Sequence, residues 1–327
     1  MEVSSKILRR SIYTFLQNYH YFTSTAAFLA IPFSASILIS SSFSCASSSS
    51  IMLHVFNHLK ALFSAAGFPS SSQFFSILNL KVSQTITSSI FTLPFTLTFL
   101  LIAKASVIQA LSNNQKPIIT IPPSFTCIFS HYKPLLHTYF HNSFFILSAN
   151  ATSFCLLFLA FAVTEGLGYS SSRSCSTLLS AAGAILFSVI LANALVICNM
   201  ALTLSGMEGK GGYMAILKAC VLLRGRTSMA LFLALPANAG LAAIEALFQI
   251  RIVRNYEIGG KLWPWIALEG ILIAYLYSIF IILDTIVSCI FYKSCKIAAS
   301  LVDQEDQNLL TAEFTGYLGN KNFDELP

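Results

Sequence analysis

Residues 177–204, TLLSAAGAILFSVILANALVICNMALTL, run without a single Asp, Glu, Lys or Arg. A helix of this length, rising about 1.5 Å per residue, crosses the roughly 30 Å hydrocarbon core of a bilayer. Working outward, further apolar runs long enough to cross lie at 22–43, 85–111, 143–163, 228–248 and 266–292. Over all 327 residues, 55% are hydrophobic and 10% charged, against about 25% charged in an average soluble domain. Mean hydropathy is +0.72. These values exclude a soluble globular fold and point to an all-α polytopic bundle of six spans over 1–302, followed by an acidic, disordered tail over 303–327.

The first run follows Lys6, Arg9 and Arg10, as a signal peptide would, but it exceeds the usual 7–15-residue apolar core of such peptides and reads as a retained span. Cleavage near the Ser-rich 40–50 stretch is the competing reading. Trp263 and Trp265 precede the sixth run, where an aromatic belt would anchor it. The N-terminus, the second and fourth loops (Lys116, Lys133; Lys210, Lys218, Arg224, Arg226) and the C-terminal segment hold most of the cations. The other side has Lys60, Lys81, Arg173, Arg251, Arg254 and Lys261. The positive-inside rule therefore places both termini in the cytosol. In the fourth loop, Tyr213–Leu223 spaces Ile216, Leu217, Cys220 and Val221 as an amphipathic helix does, lying on the interface or packed on the bundle.

The odd runs align with one another through Phe28-Leu-Ala-Ile-Pro32, Phe144-Phe-Ile-Leu-Ser148 and Phe232-Leu-Ala-Leu-Pro236. In the even runs Lys104, Asn193 and Asp284 share a register. Three pseudo-repeated hairpins, each preceded by an interfacial amphipathic stretch, are the expected plan. A lone Lys or Asp in hydrocarbon costs about 2.5–3.5 kcal/mol on insertion scales, so pairing or a wet cavity is required. Lys104, Asn150, Asn193, Asn238 and Asp284 thus form a candidate polar cluster in the cytosolic half, read either as a ligand site or as interhelical glue. Glu165, Glu245 and Glu269 fall toward the other side near Arg251 and Arg254, as a rim ion-pair network or one end of a cation path.

Chemistry-bearing motifs are sparse. The eight cysteines form no C-x-x-C pair, which excludes a zinc ribbon and a secreted disulfide framework. His54/His58 and His137/His141 have i, i+4 spacing but lack a third ligand beside them, so neither metal nor cofactor is expected. No H-E-x-x-H, G-x-S-x-G or phosphate loop occurs. Asn150-Ala-Thr152 has the glycosylation pattern but lies inside a span. Cys295, between Lys293 and Lys296, is a palmitoylation candidate. Glu305, Leu309 and Leu310 match an acidic dileucine pattern that sorting adaptors read, set in a solvated acidic segment. No soluble basic surface suited to nucleic acid is present.

The connector SGMEGKGGYMAILKACVLLRG, residues 205–225, resembles that of a broad group of uncharacterised multispan proteins, including membrane domains attached to bacterial glycerophosphodiester phosphodiesterases. Glu208, Gly212, Ala215, Lys218, Ala219, Leu222 and Gly225 carry the likeness, with Ala219 where that group has serine. Through Ala192-Asn193-Ala-Leu-Val-Ile-Cys-Asn199 and Leu241-Ala-Ala-Ile-Glu-Ala-Leu-Phe-Gln249 the chain also resembles an uncharacterised plant transmembrane family. The resemblance implies a six-helix membrane domain and carries no catalytic residue. The expectation is a non-enzymatic membrane scaffold or interaction protein of the endomembrane system or plasma membrane, with the bilayer and other membrane proteins as partners. A small-solute or ion transporter using the polar cluster is the alternative.

Overall fold

The computed structural model describes residues 2–45, 50–65, 73–112, 125–166, 173–255 and 264–321, and these are helical apart from a break at Asn18 and two short glycine-containing turns. Among them are nine helices: α1 (Glu2–Gln17), α2 (19–45), α3 (Ser50–Ala65), α4 (73–112), α5 (Phe125–Gly166), α6 (Arg173–Glu208), α7 (Tyr213–Leu223), α8 (Thr227–Val253) and α9 (Pro264–Lys321). Six helices are long and apolar enough to cross a membrane: Tyr19–Ser40, Ser76–Ser112, His131–Ala160, Ala181–Glu208, Thr227–Val253 and Pro264–Ser300. The protein is an integral, multi-pass helical membrane protein.

Helix α9 is the hub, packing on α1, α2, α4, α6, α7 and α8, whereas α5 reaches the bundle through α4, α6 and α7. The first span is integrated with this core: Phe22, Ala26, Ala30 and Leu38 are buried, and Tyr21 Oη donates to the Ser106 carbonyl at 3.2 Å and lies 2.6 Å from its hydroxyl. The last helix does not stop at the expected 292. It continues through Lys321, so the backbone of 303–321 is helical where a disordered tail was expected. The side chains of Glu305, Leu309 and Leu310, and that of Glu165, lie outside the described residues.

Many hydroxyls enter the spans bonded within their own helix. Ser34 bonds to the Ala30 carbonyl, Thr96 to Thr92, Ser153 to Ala149 and Thr285 to Ile281. Each hydroxyl spends its proton on its own helix, as hydrocarbon requires. Three spans also contain a turn widened to π geometry: Gln249–Val253 in the fifth, and two linked to prolines, Ala26–Ala30 just before Pro32 and Thr96–Leu100 just after Pro94. Proline clashes with the regular ladder and deprives it of a donor, and a wide turn absorbs the mismatch. The two proline-linked wide turns pack against each other, and Tyr132 Oη donates to the Leu97 carbonyl at 2.9 Å.

Candidate functional site

Two polar assemblies stand out, one among the spans and one across an end of the bundle. In the first, the half-buried Lys104 of α4 donates to Asn199 Oδ1 of α6 at 3.4 Å. Asp284 of α9, also half-buried, attracts Lys104 electrostatically, but no direct contact within 4.0 Å joins them. Asn199, Asp284 and Ser288 line a small cavity of about 30 Å³ whose remaining wall is Val196, Met200, Ala230, Leu233, Ala234, Val287 and Phe291. About 10–15 Å³ accommodates one water, so this space has room for about one or two. Water between Asp284 and its neighbours would lower the cost of holding both charges at this depth.

Three expected members do not join this assembly. Asn193 Nδ2 donates to the Val189 carbonyl and Asn238 Nδ2 to that of Ala234, each a bond to its own helix at 3.0 Å. Asn238 is exposed on α8, and no hydrogen bond ties Asn150 to the cluster among the described residues. The helical phase explains the substitution: Asn199 lies six positions past Asn193, and it is Asn199 that faces Lys104. Toward the other end, Arg251 Nε bonds Glu269 at 2.8 Å, and Tyr277 Oη donates to Glu245 at 3.0 Å.

The second assembly is built on the connector between α6 and α8. Gly209 and Gly212 adopt positive φ values of 68° and 90°, which glycine tolerates without a Cβ penalty. Gly212 N donates to Thr138 Oγ1 at 2.9 Å, and Thr138 Oγ1 donates in turn to Ser205 Oγ at 2.8 Å. A Cβ on Gly211 would collide with the Pro134 carbonyl, and one on Gly212 with the His137 ring. The backbone of α7 is thereby held tight against α5. Its Ala215, Ile216, Ala219 and Leu223 are buried against the bundle, while Tyr213, Met214, Leu217 and Val221 remain exposed. Burial also pushes the Cys220 thiol above its ordinary range, so it stays protonated.

Glu208 is the electrostatic centre of this end. Its carboxylate accepts from Lys218 Nζ at 2.8 Å and from Tyr292 Oη at 2.9 Å, with Lys296 Nζ at 3.8 Å. Lys293 Nζ donates to the Leu111 carbonyl at 2.6 Å, placing a cation on the carbonyl-rich C-terminus of α4. Arg226 Nη1 reaches the Cys295 carbonyl at 3.5 Å. Helix α1 packs along α9 and α8, with Ile7 in the same apolar core as Ala215, Leu223 and Cys295. Sequence reading marked Glu208, Lys218, Gly212 and Gly225 as a motif but gave no partner for them. Tyr292, Thr138, Ser205 and Asn199 carried no signal except their polarity within or beside apolar runs.

His54 and His58 stack with ring centroids 6.0 Å apart, and His137 and His141 lie at 4.5 Å. No cluster of three metal-ligating residues occurs among the described residues.

The chain matches, over residues 3–322, the family described as domain of unknown function DUF8558. It belongs to that family. No curated protein and no solved structure matches it. The match takes in all six spans, the connector and α1, so both assemblies fall within the family's domain.

Proposed function

We propose that this DUF8558 member works as a non-enzymatic membrane interaction module, presenting a shaped basic surface at one end of its bundle. The observation that carries this reading is the interlocking of that end. Glu208, Lys293, Arg226 and the Thr138–Gly212 contact tie α4, α5, α6, α7, α8 and α9 together where the spans finish. Such bonding is more than a connector needs and holds α7 in a fixed position with Tyr213, Met214, Leu217 and Val221 outward, while α1 packs on α9 and α8. The positive-inside rule makes this the cytosolic end, with endomembranes or the plasma membrane as the setting.

The carrier reading has one observation in its favour, the cavity beside Asp284 and Asn199. A volume of about 30 Å³ suits water, not a solute of several heavy atoms. The test reconstitutes the full chain in sealed vesicles and follows proton, alkali-cation and amino-acid flux, while native-gel migration in gently extracted membranes follows assembly. The interaction reading expects flux at the level of empty vesicles and a larger native assembly, of protein or of retained lipid, that Val221→Glu disrupts. Flux that Asp284→Asn abolishes, or an assembly indifferent to Val221→Glu, would overturn it.

A further inference from the structure

The outer faces of α1 and α7 share an unusual composition. Helix α1 exposes Ile12, Tyr13 and Leu16 together with Lys6, Arg9 and Arg10. Helix α7 exposes Tyr213, Met214, Leu217 and Val221 with Lys218, and is flanked by exposed Lys210 and Arg224. Both helices already bury an apolar face against the same core. The second apolar face is therefore surplus to folding, and each of these exposed apolar side chains except Leu16 has a cation within about a turn.

The depth of these helices is set by their neighbours. The apolar stretch of α4 ends at Ser112, where Lys293 caps it, and that of α6 ends at Glu208, which is bound to Lys218 on α7. Both helices accordingly lie where hydrocarbon gives way to headgroups. Outward apolar residues interleaved with Lys and Arg at that level are the composition of an interfacial helix on anionic lipid. Glu208 does not spoil the complementarity, because Lys218, Tyr292 and Lys296 surround its carboxylate.

We infer that α1 and α7 form a collar that gathers anionic phospholipid headgroups at the basic end, with their apolar residues seated in the acyl boundary and Arg9, Arg10, Lys210 and Arg224 contacting phosphate. The occupant is the lipid leaflet itself. This deepens the interaction reading, which supplies the working surface, by naming what covers it.

The experiment reconstitutes the full chain in phosphatidylcholine vesicles containing a minor share of phosphatidylserine, excises polymer nanodiscs around it and quantifies the retained lipid. The expected result is phosphatidylserine enriched about twofold or more over the bulk membrane, falling as salt rises. R9Q/R10Q/R224Q brings the enrichment down toward the bulk value, each single variant lowers it in part, and K60Q/R254Q at the opposite end leaves it unchanged. Thermal unfolding in pure phosphatidylcholine verifies that the variants fold, and the single variants decide the matter if the triple does not. A bulk-like lipid composition around the wild type, enrichment indifferent to the α1 and α7 cations, or displacement of the lipid by soluble inorganic phosphate would each overturn the inference. Failure here with no solute flux removes the lipid partner alone, whereas Asp284-dependent flux removes the interaction reading beneath it.

Discussion

The two ends of the bundle are made from the same apolar alphabet but are fastened differently. At the basic end, side chains of four helices and of Arg226 reach across to backbone carbonyls, a hydroxyl chain and one shared carboxylate. Away from it the described cross-helix bonds are scattered pairs: Arg251–Glu269, which is largely exposed, and the part-buried Tyr277–Glu245, Ser40–Ser88 and Asn79–Phe56 contacts. An exposed ion pair stabilises by about 0–1 kcal/mol, whereas a network with buried members resists removal of any one part. Among the described residues, the densest cross-helix bonding is thus at the basic end.

The largest expected effect lies between the ends. Lys104→Leu or Asp284→Leu leaves the opposite charge without its counterpart, at a cost of about 3 kcal/mol on the scale of intramembrane charges. The double variant should cost less than the two singles combined, which a stability cycle in mild detergent would reveal. If each substitution leaves stability untouched, the two residues share no site and the polar assembly has no role in holding the spans.

Gly212→Ala comes next. It forces a side chain into a backbone region open to glycine alone and against His137, costing about 1–3 kcal/mol. A drop in thermal midpoint should appear together with loosening of α7, seen as faster labelling of Cys220. Unchanged labelling would mean that the turn does not hold the helix down. Glu208→Gln should destabilise by about 1–2 kcal/mol, since it weakens charge-assisted bonds to Lys218 and Tyr292 in a part-buried place. Arg251→Gln should cost no more than about 0.5 kcal/mol. If the last two prove equal in the same unfolding assay, the asymmetry between the ends is only apparent.

The fold was largely legible because lipid leaves few options: long apolar runs must be helices, and their number follows from counting them. Six helices long and apolar enough to span take in the six apolar runs, and they continue past those runs, most of all in α5 and α9. The site was legible in part. Lys104 and Asp284 are conspicuous as charges within spans, and the structure sets them within electrostatic reach. Their third companion was not, because aligning the even runs selects Asn193, whereas the rotation of α6 in its actual packing selects Asn199. A one-dimensional alignment reports position along a helix and says nothing about which way a residue faces. The threefold repeat remains an expectation of that alignment. Tyr292 escaped notice for another reason: an aromatic residue at the end of a span reads as belt, and its bond to Glu208 depends on a connector 84 positions away.

The wide turn at Thr96–Leu100 bears on Lys104, which follows four residues later. In a helix, such a turn is equivalent to one extra residue absorbed without disturbing the angular phase of what lies beyond it. Each residue otherwise advances the helix by about 100°, so span two keeps Lys104 aimed at Asn199 only because the surplus is taken up locally. Deleting one residue within 96–100 should therefore relax the turn to ordinary pitch and leave Lys104 on the same meridian. Deleting one between Leu101 and Ala103 should swing it away to face other neighbours. The span behaves as a clock whose hand is set by a single repeated minute, and a length change of one residue is silent or severe according to which side of that minute it falls.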